Sequence, residues 1–159
     1  MGETLEPRGE TLATVESCTG GLLGSLVTDR PGSSAYYDRG FVTYSNAAKL
    51  ALGVTRESLD EHGAVSEPVA REMAQAARDA AGTTWAVSTT GIAGPTGGTP
   101  EKPVGTVYVG VAYAGEWGTG RTETTVTRQE YDGSRTEIKE QVARGALDAL
   151  LAAVDRIGQ

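Results

Sequence analysis

The segment at residues 16–21, Glu-Ser-Cys-Thr-Gly-Gly, combines a hydroxyl, a carboxylate and glycines in a pattern suited to chemistry. It lies where a β-prone run ends and apolar residues begin to recur at helical spacing, which predicts a strand, a tight turn and a helix. Ser17 in such a turn is placed to act as a nucleophile, and the first N–H groups of the helix are expected to be open to an anion or an oxyanion. The same pattern is also typical of a serine that only caps the helix.

Lys49 follows the short segment Tyr44-Ser45-Asn46 and lies in the first turns of a helix predicted over residues 46–52. A lysine amine with an ordinary pKa of about 10.4 becomes a base near neutral pH only if burial or positive charge lowers that pKa by roughly 3 units. Only a lysine held in a site meets this condition. The pattern alone favours the other interpretation, a solvated lysine on a helix surface.

A glycine-rich loop over residues 91–103 follows an apolar strand predicted at residues 85–90. Loops at the carboxyl ends of strands are common ligand sites in α/β proteins, and structureless loops of about 12 residues are usually functional or disordered. The glycine spacing matches neither the dinucleotide fingerprint nor the phosphate-binding P-loop. The loop therefore indicates a ligand without naming it.

Four other side chains are candidate site residues. Cys18 is interpreted as a small packing residue and His62 as a residue at a helix end. Glu16 fits a site carboxylate and a strand-end surface charge equally well. Arg135, at the start of the last predicted helix, could grip a phosphate, but the pattern alone favours a solvated charge.

Composition limits the classes of partner and cofactor. The chain has 159 residues, a formal net charge of −7 and a sequence pI near 4.7, which disfavours nucleic acid and leaves a small molecule as the expected ligand. No apolar run of about 18 residues and no basic leader occur, so neither a membrane span nor secretion is expected. With one cysteine and one histidine, no disulfide and no His/Cys metal site are expected, and a cytoplasmic location follows.

Strand and helix patterns are mixed along the chain. This order predicts a three-layer α/β/α fold with a mixed β-sheet, as a single domain over residues 1–159 with a core at about 11–154. The predicted strands lie at residues 11–16, 40–44, 85–90, 104–114 and 119–127, and the longer helices begin at Ser66 and Ser134.

Several blocks together resemble the CinA C-terminal domain family. They are residues 16–21, residues 42–45 with Lys49, residues 63–67, and residues 90–95 with 102–106, in the order that the family has them. The departures are Val15 where alanine is usual, Lys139 where arginine is frequent, and a nearly absent helix before the first strand.

The resemblance implies an amidohydrolase that converts nicotinamide mononucleotide to nicotinate mononucleotide and ammonia, in pyridine nucleotide salvage. It implies a homo-oligomer without metal or cofactor, with Ser17 as the nucleophile or as the group that positions a water, Lys49 as the base, and Tyr44 and Thr90 as hydrogen-bonding neighbours. Substrate contacts are expected from the two glycine segments and from an arginine, namely Glu16, Thr19, Gly20, Gly21, Gly91, Gly94, Gly97, Gly98 and Arg135. A non-catalytic nucleotide-binding or regulatory module would use the same loops and remains the alternative.

Overall fold

The computed structural model describes residues 1–158, so the last residue of the predicted domain, Gln159, lies outside the described part of the chain. Within residues 1–158, five strands and six α-helices follow one another in a mixed order. They are α1 (Gly2–Leu5), β1 (Leu12–Glu16), α2 (Leu22–Thr28), β2 (Tyr37–Val42), α3 (Asn46–Leu52), α4 (Arg56–His62), α5 (Glu67–Ala81), β3 (Trp85–Gly91), β4 (Thr106–Tyr113), β5 (Glu123–Glu130) and α6 (Arg135–Ile157).

The strands form one sheet in the order β2-β1-β3-β4-β5. β1 pairs in parallel with β2 on one side and with β3 on the other, whereas β3–β4 and β4–β5 are antiparallel pairs. All five residues of β1 are buried, as expected for a central parallel strand covered on both faces. The carboxyl ends of β1, β2 and β3 therefore meet at one edge of the sheet.

Helices cover both faces of the sheet. α2 and α6 pack on one face, where Leu23 and Leu150 join the core side chains of β3 and β4. α5 packs on the other face with α3 and α4 beside it, and Met73 there contacts the core side of β1. The predicted three-layer α/β/α fold with a mixed sheet is confirmed.

Two strand predictions are displaced along the chain. β2 ends at Val42, not at residue 44, and its side chains are mostly exposed because it is an edge strand, so it lacks the apolar alternation that marks a strand. In the β4–β5 hairpin the connection extends to Thr122, so β5 begins later than predicted. The cause is the polar composition of β5, which gives no sharp boundary. No helix among residues 1–158 is long and apolar enough to cross a membrane.

Helix starts are encoded locally. Ser45 caps α3, its Oγ accepting a bond from the N–H of Ala48 at 3.1 Å. Ser134 and Glu137 form a reciprocal capping box at the start of α6. These caps fix the positions of Lys49, four residues after Ser45, and of Arg135, directly after Ser134.

Gly105 connects the glycine-rich loop to the chain before α6, and its replacement should destabilise the fold. Its N–H donates to the carbonyl of Ile92 and its carbonyl accepts from the N–H of Tyr131. The residue has φ +92, and a Cβ would overlap the carbonyl oxygen of Tyr131. Gly105→Ala should therefore add an overpacking cost of about 1–3 kcal/mol to the cost of the left-handed backbone.

Gly120→Ala is the matched control, because Gly120 also has a positive φ but has open space around its Cβ position. Urea unfolding of both variants measures the difference in unfolding free energy. Equal losses in the two variants would show that the Tyr131 carbonyl moves aside at no cost.

Candidate active site

Ser17 lies directly after β1, at the edge where the parallel strands end. Its N–H donates to the carbonyl of Thr89 at 2.9 Å, and the carbonyl of Glu16 accepts from the N–H of Thr43 at 2.9 Å. The peptide between Glu16 and Ser17 is thus held between the ends of β2 and β3. The Ser17 side chain is almost buried, with 9% of the residue exposed.

Lys49 extends from α3 to Ser17. Its Nζ lies 2.9 Å from Ser17 Oγ, 2.8 Å from the carbonyl oxygen of Thr43 and 3.1 Å from that of Tyr44. Only 1% of the residue is exposed, and within residues 1–158 no carboxylate forms an ion pair with it. The interpretation of Lys49 as a solvated surface lysine is wrong, because β2 ends early enough to leave two carbonyls free for its amine.

These surroundings favour the uncharged amine. Burial lowers the pKa of Lys49 below its ordinary value, and a negative charge on Cys18 would oppose that shift. Burial raises the pKa of the Cys18 thiol to about 12, so at neutral pH the thiol carries no such charge. A neutral amine donates its two hydrogens to the carbonyls of Thr43 and Tyr44. Its lone pair then faces the Ser17 hydroxyl, which is the arrangement of a base and a nucleophile.

A cavity of about 290 Å³ opens beside the Ser17–Lys49 pair. Its walls come from the turn after β1, the start of α3, the segment before α5, the loop after β3 and the start of α6. The lining residues are Ser17, Cys18, Tyr44, Lys49, Ala64, Val65, Thr90, Gly91, Ile92, Ala93, Gly94, Thr96, Gly97 and Arg135.

The loop after β3 forms one wall of the cavity. Thr90 Oγ1, near the end of β3, donates to the carbonyl of Ala64 at 2.7 Å and so joins the base of the loop to the segment before α5. A Cβ on Gly91 would lie 2.5 Å from Val107 Cγ2, and one on Gly98 would lie 2.7 Å from the backbone N of Val104. These glycines therefore let the loop pack closely against β4 and the residues before it. In the described chain, no hydrogen bond engages the backbone N–H groups of Ala93, Gly94, Thr96, Gly97 and Gly98.

Arg135 connects two walls of the cavity. Its Nη1 donates to the carbonyl of Gly94 at 2.6 Å, and its Nη2 donates to the Tyr44 hydroxyl at 3.2 Å. Two of its five N–H donors are used, so three remain for a ligand. Tyr44 is 61% exposed and presents its ring at the mouth of the cavity.

Several predicted contact residues lie outside the cavity lining. The Glu16 carboxylate accepts the N–H groups of Gly21, Leu23 and Gly24, so the expectation that the start of α2 offers open N–H groups is wrong. Thr19 bonds Thr89 through their hydroxyls at 2.7 Å. Substrate contacts for the predicted residues that do not line the cavity stay predictions; these are Glu16, Thr19, Gly20, Gly21 and Gly98.

Sequence reasoning missed three contributors to the site. The carbonyl of Thr43 and the cavity residues Ala64 and Val65 act through backbone position and shape, which side-chain type does not reveal.

His62 lies outside the cavity lining, and its carbonyl accepts a bond from Lys102 Nζ at 3.0 Å. No cluster of three or more potential metal-ligating His, Cys, Asp or Glu side chains occurs in the part of the chain that the structure describes.

Comparison with known proteins assigns the family. The family model described as the CinA C-terminal domain matches residues 1–154. The chain belongs to the CinA C-terminal domain family. Its similarity to the crystal structure of the competence/damage inducible protein CihA from Agrobacterium tumefaciens gives a TM-score of 0.86 at 43% identity, covering 93% of this chain and 87% of that one.

Curated members of the CinA family differ in length. The chain is 52% identical to a CinA-like protein of Anaeromyxobacter dehalogenans strain 2CP-1 and spans only 35% of that protein. It is 49% identical over 151 residues to a protein of Escherichia coli K12 named nicotinamide-nucleotide amidohydrolase PncC, covering 94% of this chain and 88% of that protein. Each of the two matches covers 94% of this chain.

The lowered pKa of Lys49 predicts a pH-dependent stability that needs no substrate. Between the folded pKa and the ordinary value of 10.5, the unfolded chain binds a proton that the folded chain does not bind. The free energy of unfolding should therefore rise with pH in that window, and this contribution should disappear as the pH falls through the folded pKa. Lys49→Met keeps an apolar chain of similar length without an ionisable group.

The measurement is denaturant unfolding of the wild type and Lys49→Met across neutral to alkaline pH. The wild-type value minus the Lys49→Met value should increase with pH. A flat difference would mean that Lys49 keeps its ordinary pKa in the folded protein.

Proposed function

We propose that this chain is an amidohydrolase that converts nicotinamide mononucleotide to nicotinate mononucleotide and ammonia. The observation that carries the proposal is the 2.9 Å contact between Lys49 Nζ and Ser17 Oγ in a cavity with open backbone N–H groups. The name of the Escherichia coli relative, nicotinamide-nucleotide amidohydrolase, supports this activity and substrate. A cytoplasmic homo-oligomer acting in pyridine nucleotide salvage is part of the same proposal.

The proposed reaction begins with proton transfer from Ser17 Oγ to the neutral amine of Lys49. The resulting alkoxide attacks the carboxamide carbon and forms a tetrahedral intermediate. Lys49 then returns the proton to the nitrogen as its bond to carbon breaks, so ammonia leaves and the acyl group stays on Ser17. Water then attacks this ester while Lys49 accepts its proton, and Lys49 returns that proton to Ser17 Oγ as the acyl–oxygen bond breaks, which releases the acid and restores the hydroxyl and the neutral amine. A positioned base of this kind contributes about 10²–10⁴-fold to the rate.

The oxyanion of the intermediate needs donors beside Ser17. The N–H of Cys18 follows the nucleophile and, in residues 1–158, donates to no other residue. Ala93, in the loop after β3, lines the same cavity, and within residues 1–158 its N–H donates to no other group. One such donor contributes about 10²–10³-fold. Thr90 positions that loop through its bond to Ala64, and Tyr44 supplies a carbonyl to Lys49 and a hydroxyl to Arg135.

The phosphate of the nucleotide is assigned to Arg135 and the open N–H groups of Gly94, Thr96 and Gly97. A protein of net charge −7 must supply local positive potential to hold an anion. The guanidinium has three donors left, and the loop supplies backbone N–H groups that the fold does not use. The start of α2 is not available for this role, because Glu16 occupies its N–H groups.

Ser17→Ala should reduce kcat for ammonia release by at least about 100-fold while substrate binding persists, since the hydroxyl acts mainly in the transition state. Ammonia and the acid product are assayed together, with calorimetry for binding and circular dichroism for folding. A variant that keeps more than about a tenth of kcat would remove Ser17 from the chemistry. Binding without turnover by the wild type would favour the non-catalytic nucleotide-binding module instead.

Arg135→Ala should weaken the preference for the mononucleotide over its dephosphorylated nucleoside by roughly 10- to 150-fold, because charge-assisted contacts contribute about 1.5–3 kcal/mol. The readout is the ratio of kcat/KM for the two substrates. Arg144→Ala is the matched control, since Arg144 lies on the same helix and pairs with Glu140 away from the cavity. An unchanged ratio in Arg135→Ala would leave the phosphate to the loop alone.

A further inference from the structure

Glu16 is a buried carboxylate whose charge the proposed reaction does not use. Only 1% of the residue is exposed, and within the described residues no Lys, Arg or His pairs with it. Its Oε1 accepts the N–H of Gly21 at 3.2 Å and that of Leu23 at 2.8 Å, and its Oε2 accepts the N–H of Gly24 at 3.0 Å. Three backbone donors thus compensate a charge that is costly to bury.

The position of this carboxylate explains how α2 starts without a conventional cap. The residue at the N-cap position is Gly21, which has no side chain to accept the first N–H groups of the helix. Glu16 supplies that acceptor from five residues upstream. Hydrogen bonds to an ionised acceptor are about twice as strong as neutral ones, so the turn between Glu16 and Gly21 is held firmly.

The first turn of α2 packs closely against the Glu16 carboxylate and the Tyr37 hydroxyl. A Cβ on Gly24 would lie 3.4 Å from Glu16 Oε2 and 2.7 Å from the Tyr37 hydroxyl. That hydroxyl bonds Thr14 Oγ1 at 2.8 Å on the strand that carries Glu16. The glycine at position 24 therefore lets α2 approach the buried polar group closely.

Ser17 lies inside the segment that Glu16 closes. In the Glu16–Ser17 peptide the carbonyl accepts from Thr43, directly after β2, and the N–H donates to Thr89 in β3, while the Glu16 side chain bonds Gly21 at the far end of the turn. The turn is therefore tied at both ends, and Ser17 Oγ has a defined position opposite Lys49 Nζ. A misplacement of reacting groups by about 1 Å can cost about 100-fold in rate.

We propose that Glu16 is a positioning residue for the reaction: its carboxylate closes the turn at residues 17–21 on three N–H groups and thereby holds Ser17 Oγ against Lys49 Nζ. The proposal rests on the proposed function for its activity readout. It assigns Glu16 no contact with the substrate.

Glu16→Ala should lower kcat by about 10- to 100-fold with little change in KM, because the turn loosens while Arg135 and the loop still bind the substrate. The substitution also vacates a pocket with three N–H donors at a helix start, where a small anion can bind. Sodium formate should therefore restore much of kcat in a saturable way, whereas sodium chloride at equal ionic strength should restore less. Wild type and Ser17→Ala should not respond to formate.

Glu72→Ala is the matched control for the loss of a capping carboxylate. Glu72 accepts the N–H of Thr55 at 2.8 Å and the Ser58 hydroxyl at the start of α4, away from the cavity. Glu72→Ala should lose stability but keep kcat well below its melting temperature, and formate should have no effect on its kcat. Glu16→Gln should lose part of kcat without rescue, because the amide fills the pocket but turns an N–H₂ group toward one of the backbone donors.

Melting temperatures with and without formate complete the test. Wild-type kcat in Glu16→Ala, or in Glu16→Gln should the alanine variant not fold, would overturn the proposal. Formate that raises the melting temperature of Glu16→Ala without raising kcat would also overturn it, because Glu16 would then act on stability alone. If the wild type releases no ammonia from the nucleotide, the same series is run on p-nitrophenyl acetate, an activated ester that tests Ser17 without the nucleotide. A failure of the proposed substrate is thereby separated from a failure of the positioning role.

Discussion

An amine buried without a carboxylate partner among residues 1–158 is the constraint on which this site depends. A protonated Lys49 would keep a full charge out of water, whereas a neutral amine needs only two acceptors for its hydrogens and one donor for its lone pair. The carbonyls of Thr43 and Tyr44 and the Ser17 hydroxyl meet those needs at 2.8–3.1 Å. Because β2 ends at Val42, both carbonyls are free of the sheet. The end of an edge strand thus determines the chemistry of the lysine.

The remaining architecture brings other elements to the same point. Three parallel strands end together, so the turn after β1, the segment after β2 and the loop after β3 face one cavity. β4 runs in the opposite direction and supports that loop from the side, which its glycines permit. Arg135 at the start of α6 joins the loop to Tyr44 and adds positive charge to an acidic protein. Each wall of the cavity is therefore fixed by a different contact of the fold.

Local signals in the sequence predicted those parts of the structure that are locally determined. α3 begins at Asn46 as predicted, because the Ser45 side chain caps the helix. α5 ends before Gly82 as predicted, because that glycine takes the left-handed backbone conformation that ends a helix. The predicted position of β2 is shifted from the observed one, because an exposed edge strand lacks the alternation of apolar residues that marks a strand in sequence. The burial of Lys49 and the capping of α2 by Glu16 depend on contacts between distant or unconventional positions. Spacing along the chain carries no signal for such contacts, and for Lys49 only the family resemblance pointed to the site.

The most direct test of the account is the pH dependence of kcat for ammonia release from nicotinamide mononucleotide, measured for the wild type and Lys49→Arg. Burial lowers the pKa of Lys49, so wild-type kcat should rise with pH through one ionisation below 10.5 and then level off. Arginine keeps the positive charge but cannot give up its proton, so Lys49→Arg should be at least about 100-fold slower at every pH. A Lys49→Arg variant that retains most of the wild-type kcat, with the same pH profile, would contradict the assignment of Lys49 as the base.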